Sequence, residues 1–180
     1  MDILLRKIQK ADLELLMNWR MRPDITKYMF TDPMITMDSQ LKWFERISKE
    51  DRYDLMIEIN SNPVGYLGIY EIDRNNSHCS GGIYIAELKF RSLDNFIRIS
   101  YNSFDFIFNE LKMHKYIMVY MDGNPAEKFA RYFGATYEGT MRDAIFKYGK
   151  YHNLLCYSML DSEWAEMRKG LEYDKIDILL

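Results

Sequence analysis

The chain has 180 residues and a mass of 21.6 kDa; 48% of its residues are hydrophobic and 28% charged, which fits one domain with a sizeable core. A net charge of -3 and a pI of about 5.7 argue against a nucleic-acid-binding surface. Cys79 and Cys156 are far apart and the three histidines are scattered, so no disulfide framework and no metal site is expected.

The N-terminus has an acidic second residue and only a short apolar run. No signal peptide or membrane span is read from the chain, and a cytoplasmic protein is expected. Residues 4–8 read as a strand. Asp12 then opens a helix with Leu13, Leu16, Met17 and Arg20 at helical spacing and Trp19 beside them, and Pro23 breaks it. Residues 24–36, with Tyr28, Met29 and Phe30, read as a short helix and an irregular loop. Thr36 or Asp38 can cap a second long helix carrying Leu41, Phe44 and Ile47.

Residues 53–59 and 64–72 read as strands joined by a turn at 60–63, and 79–86 as a third. Residues 95–111 carry Ile97, Tyr101, Phe104, Phe108 and Leu111 at helical spacing, and 116–121 form a strand. In the next helix Asn124 can cap, Pro125 suits the first turn, and Glu127 can complete a capping box. Ala126, Phe129, Ala130 and Phe133 share one face, and Gly134 is the stop. Residues 136–146 and 151–160 form a hairpin. The charged tail, 163–180, is expected to be peripheral to a single domain over 1–162. The fold class is α+β, a mixed sheet with helices on both sides.

This order, with Trp19-Arg20 ending the first helix, resembles the GNAT superfamily of acyl-CoA-dependent N-acyltransferases over roughly residues 3–162. Tyr137-Glu-Gly-Thr-Met-Arg-Asp143, Gly149-Lys-Tyr-His152 and Tyr157-Ser-Met-Leu160 are similar to the branch containing ribosomal-protein N-terminal acetyltransferases. Trp19-Arg-Met-Arg-Pro-Asp24, Tyr28-Met-Phe30 and Gly82-Ile-Tyr84 resemble the amino-sugar N-acetyltransferase of pseudaminic acid synthesis. The resemblance implies direct acetyl transfer from acetyl-CoA to a primary amine. A nucleotide-linked amino sugar is the favoured acceptor and a protein N-terminus the next. By analogy with the family, a homodimer is an option.

The resemblance also distributes roles. Backbone N–H groups around Ile83 and Ile85 would face the thioester carbonyl. Lys89, Arg91, Ser92, Asn95, Phe96 and Asn124 would hold the cofactor, and Trp19, Arg20, Tyr28, Met29 and Phe30 would wall the acceptor. Tyr84 and Glu71 are the catalytic candidates, Glu71 as a base acting directly or through water. Tyr84 can equally be an ordinary core aromatic, and Glu71 a solvated strand-end carboxylate.

Two departures from the family pattern favour an alternative, a degenerate GNAT-like binding or regulatory domain. The phosphate-binding turn has Ser92 and Asp94 where glycines are expected, and a carboxylate there repels pyrophosphate. The later helix lacks the family's tyrosine: Ala130 or Arg131 takes its place, and Tyr132 lies about 200° from Ala130 around the helix.

Overall fold

The computed structural model describes residues 2–180. Its elements are β1 (Ile3–Lys7), α1 (Leu13–Arg20), α2 (Pro23–Thr26), α3 (Met37–Ile47), β2 (Tyr53–Ile59), β3 (Asn62–Asp73), β4 (His78–Ile85) and α4 (Leu93–Asp105). They continue with β5 (Lys115–Met121), α5 (Glu127–Tyr132), β6 (Thr136–Lys147), β7 (Lys150–Leu160), α6 (Asp161–Arg168) and β8 (Asp177–Leu179). The strands form one sheet in the order β6-β7-β5-β4-β3-β2-β1-β8.

Local chemistry accounts for most boundaries. Thr36 caps α3 by accepting from Ser39 N–H (3.2 Å), and Ser92 caps α4 by accepting from Asn95 N–H (3.1 Å). Pro23 occupies the first position of α2, where its missing N–H costs no helical bond. Asn60-Ser61 and Tyr148-Gly149 all have positive φ, the conformation a two-residue hairpin turn of the right-handed sheet requires.

Alternation along the strands sorts the side chains into two layers. Leu55, Ile57 and Ile59 of β2 pack in one cluster with Ile99 of α4, while Met56 joins Leu16 and Trp19 of α1 on the opposite face. α1 and α3 therefore cover one face of the sheet and α4 the other.

β4 and β5 are the parallel neighbours at the centre, and they pair only at His78↔Lys115, Cys79↔Tyr116 and Ser80↔Ile117. Beyond Ser80 the two strands part. Ser80 Oγ donates to Ile117 O (3.2 Å), which closes the fork at its base. β4 stays paired to β3 as far as Gly65↔Ile85, and β5 stays paired to β7 as far as Met121↔Leu154, so the gap is held rigid from both sides.

Two expectations are corrected. The capping box of α5 does not form. Asn124 Oδ1 accepts from Ala126 N–H (2.9 Å), but the Glu127 carboxylate turns to the Tyr157 hydroxyl and to Arg131 Nε (2.9 Å). A charge-assisted pair there outcompetes a neutral backbone donor. The tail is not peripheral either. Trp164 is 1% exposed and packs on Tyr101 and Phe104 of α4, and β8 extends the sheet by pairing in parallel with β1.

Candidate active site

A cavity of about 950 Å³ opens at the fork, and its walls come from both faces of the sheet. Tyr66 and Tyr84 line it on the α1–α3 face, together with Arg20, Tyr28, Met29, Phe30 and Trp43. Phe96, Phe104, Tyr116, Met118, Phe129 and Phe133 line it on the α4–α5 face. A passage through the sheet exists only because β4 and β5 separate; a continuous ladder would have sealed it.

Glycines make the passage narrow at the fork. A Cβ on Gly81 would lie 2.5 Å from Gly68 O and 2.7 Å from Tyr116 Oη; one on Gly82 would lie 3.3 Å from Tyr70 Oη. The tyrosine side chains thus lie directly on the bare backbone of β4. Burial pushes the Tyr84 and Tyr116 hydroxyls up from the usual phenol range, with Arg20 opposing at Tyr84, so both stay protonated at neutral pH.

The charged groups of the cavity fall into two kinds. Arg52 is neutralised: its Nε and Nη2 meet Asp54 at 2.7 and 2.9 Å, and Asp54 also accepts from the Tyr66 hydroxyl. Arg20 and Glu71 have no ion-pair partner among the described residues. Arg20 Nη2 donates to Thr31 Oγ1 (3.2 Å), while Nη1 is buried without an acceptor, an arrangement that calls for explanation in a native site. Burial lowers the pKa of Arg20, with the nearby Tyr84 and Asp32 opposing. Glu71 sits in a β-bulge with φ of 54°, between Tyr70 and Asp73, and the bulge turns it to the cavity wall.

The residues singled out from the sequence separate into two groups. Arg20, Tyr28, Met29, Phe30, Glu71, Ile83, Tyr84, Phe96 and Asn124 line the cavity. The side chains of Trp19, Ile85, Arg91 and Asn95 are committed elsewhere. Trp19 is 3% exposed and its Nε1 donates to Glu87 Oε1 (3.0 Å), so it supports the wall from behind. Ile85 is in the core under α4. Arg91 binds Ile85 O through Nε (2.6 Å) and Asp24 Oδ2 through Nη2 (2.5 Å), which ties α2 to the end of β4 and removes the guanidinium from phosphate duty. Asn95 is buried and its amide donates to Phe90 O (3.0 Å).

Lys89 remains exposed, with Nζ 4.9 Å from the Phe90 ring centroid, and Ser92 is spent as the cap of α4. Sequence reasoning missed Tyr66, Tyr70, Tyr116 and Tyr120, all on the cavity wall. Their strand periodicity was visible, but the fork that exposes them depends on pairing between distant segments.

The site fits coenzyme A in two respects. Residues 81–85 present backbone groups to the gap with no β5 partner, as an amide-bearing arm requires. The N–H groups of Leu93 and Asp94, first in α4, have no acceptor within their own helix. Asp94 is exposed, which lets its carboxylate turn into water rather than toward a bound anion.

A sheet forked between parallel central strands, with a through-cavity and a helix N-terminus beside it, defines an acyl-CoA-type transferase. A family model for the acetyltransferase (GNAT) domain matches residues 2–131, and the chain belongs to that family. It is an acyl-CoA-dependent N-acetyltransferase.

The chain is 27% identical over 128 residues to YokL, an uncharacterized SPbeta prophage-derived N-acetyltransferase of Bacillus subtilis (strain 168); the match covers 70% of this chain and 71% of YokL. The spermidine N-acetyltransferase of Vibrio cholerae in complex with CoA and spermine superposes with a TM-score of 0.83 at 23% identity, over 91% of this chain and 98% of that one. An N-acetyltransferase of Staphylococcus aureus Mu50 gives 0.75 at 16%, over 89% and 99%. At these identities the two solved structures speak to the fold alone. Among the described residues no helix is long and apolar enough to cross a membrane.

Proposed function

We propose that the enzyme acetylates a primary amine, with a nucleotide-linked amino sugar as the favoured acceptor and a protein N-terminus next. The observation that carries this is the pairing state of the cavity's charges: one unpaired cation, Arg20, and one unpaired carboxylate, Glu71, in an aromatic enclosure. A polyamine is a string of cations and calls for several carboxylates. This cavity offers one. An acceptor with an amine at one end and a phosphate or carboxylate at the other matches both charges, and Tyr28 or Phe30 can stack on a ring between them.

Bound acetyl-CoA supplies an acetyl group activated as a thioester. Glu71 takes a proton from the acceptor ammonium, directly or through water, so that a neutral amine can attack. Backbone N–H groups of residues 83–85 polarise the acyl carbonyl. The Tyr84 hydroxyl, held neutral by burial, gives a proton to the sulfur as the carbon–sulfur bond breaks, and takes back the second proton that the acylated nitrogen sheds, so that CoA leaves as the free thiol and the product is the neutral amide. On the α4–α5 face, Lys89 and the first N–H groups of α4 hold the pyrophosphate, and Phe96 and Asn124 border the arm. This reading needs no metal, and acetyl-CoA as donor implies the cytoplasm.

The test is a panel of acceptors assayed by release of free thiol: a nucleotide-linked 4-amino sugar, spermidine and an N-terminal peptide. The expected result is preference for the nucleotide-linked amine, with Arg20→Gln raising its KM about tenfold or more while leaving acetyl-CoA affinity in place. Preference for spermidine, or an Arg20→Gln enzyme that handles the anionic acceptor as well as the wild type, would overturn it.

A further inference from the structure

The aromatic wall of the acceptor half has little regular structure of its own. α2 ends at Thr26 and α3 begins at Met37, yet Tyr28, Met29 and Phe30 between them line the cavity. A buried cation holds this segment. Lys147, the last residue of β6, is 5% exposed, and its Nζ donates to Thr26 O (2.6 Å) and Met29 O (2.8 Å) and pairs with Asp32 Oδ1 (3.0 Å). An ammonium has three protons, and here there are three acceptors, all from one short stretch of chain. A buried ammonium is tolerated only when its protons are accepted in this way, so lysine and loop fix one another.

Lys147 is itself anchored. Its carbonyl lies 3.2 Å from Nε2 of His152, whose Nδ1 is 3.0 Å from Asp122 Oδ1. Asp122 Oδ2 also accepts from Asn153 N–H (3.1 Å), and Asp122 opens the turn that brings Asn124 to the other half of the cavity. A line of polar contacts thus runs from the β5–α5 turn, through the turn end of the last hairpin, to the acceptor wall.

We propose that Lys147 is a positioning residue for the acceptor: it touches no reacting atom, and it sets the places of Tyr28, Met29 and Phe30 by holding Thr26, Met29 and Asp32. This rests on the reading of the α1–α3 half of the cavity as the acceptor side.

The experiment is hydrogen exchange read by mass spectrometry, with steady-state kinetics, on the full-length wild type, Lys147→Met and Asp32→Asn. In Lys147→Met, exchange in peptides covering residues 26–32 should quicken about tenfold or more, while β4 and α4 keep their protection. Acceptor KM should rise about tenfold or more, with kcat within about threefold and acetyl-CoA affinity within about twofold. Asp32→Asn keeps both carbonyl contacts and should move the same two quantities by about threefold.

Unchanged exchange at 26–32 in both variants overturns the proposal. So does local loosening without a change in acceptor KM, or a parallel loss of kcat and acetyl-CoA affinity, which would mark a general defect. Should Lys147→Met fail to fold, Asp32→Asn decides alone: no shift in either quantity sinks the idea. A wild-type enzyme that acetylates no amine would sink the acceptor reading by itself, and the exchange pattern would still decide whether Lys147 holds the loop.

Discussion

At the scale of single residues, Glu71 shows a conflict between stability and use. A side chain at φ of 54° is strained, because the left-handed region suits glycine and costs other residues about 1–2 kcal/mol. Glu71 is also exposed and makes no ion pair among the described residues, so nothing nearby offsets the strain. Glu71→Gly should therefore leave stability unchanged or raise it by about 1 kcal/mol. If Glu71 accepts the acceptor's proton, the same change should lower kcat/KM about 100-fold at neutral pH, and Glu71→Gln should do likewise. Thermal melts and initial rates on the two variants separate the effects. A Glu71→Gly enzyme as active as the wild type would reduce the bulge to an accident of the β3–β4 turn.

At the scale of elements, the fork between β4 and β5 does the work that makes a site, and it rests on backbone without side chains. Of the two β4 glycines at the fork, Gly81 is the tighter. An added Cβ at 2.5 Å from Gly68 O meets backbone of the neighbouring strand, which cannot swing away as a side chain would. Gly81→Ala should cost about 1–3 kcal/mol and weaken acetyl-CoA binding together with stability, since the strand must move to admit the methyl group. Calorimetric titration beside a thermal melt tests this; a stable variant with lost binding would instead mean that the methyl group blocks the ligand directly.

The fork also marks where sequence reading stops. The cap at Thr36 and the stop at Gly134 are written within a few residues, so the helices they bound were legible. Strand order, and the last paired rung at Ser80↔Ile117, join segments 37 residues apart and leave no local mark. Arg91 illustrates the same limit in the site. Its charge suggested a phosphate ligand, but Asp24, 67 residues earlier, takes it. The three-residue β8 has no periodicity to read, and its pairing with β1 is set by Asn102, whose amide group holds Asp174 O (3.0 Å) and Ile176 N–H (3.2 Å).

At the scale of the whole molecule, the last twenty residues complete the core on the back of the helix whose front lines the cavity. Asp105, at the end of α4, gathers them. It accepts from Trp164 Nε1 (3.2 Å), Tyr173 Oη (2.7 Å) and Lys175 Nζ, and pairs with Arg168 (2.6 Å). Burial works against its charge, yet Lys175 and Tyr173 more than offset it, so the Asp105 carboxyl titrates below the usual range. A carboxylate depressed in the folded state adds stability that is present above its unfolded value and is lost as the pH falls through the folded one. Asp105→Asn should thus cost about 2–3 kcal/mol near neutrality, and the gap to the wild type should narrow as the solution is acidified below the carboxylate range. Trp164→Ala removes a side chain 1% exposed and should cost about 3–5 kcal/mol, a drop of roughly 6–20 °C for a chain of this size. That is a large share of the margin of an ordinary domain. Because α4 carries both the cluster and the cavity wall proposed to face the cofactor, saturating acetyl-CoA should restore part of the loss in Trp164→Ala, in proportion to its affinity for the folded state. Melts of both variants with and without acetyl-CoA measure all of this. If removing Trp164 leaves the melting temperature untouched, the tail is an appendage after all, and the eighth strand contributes nothing to the fold.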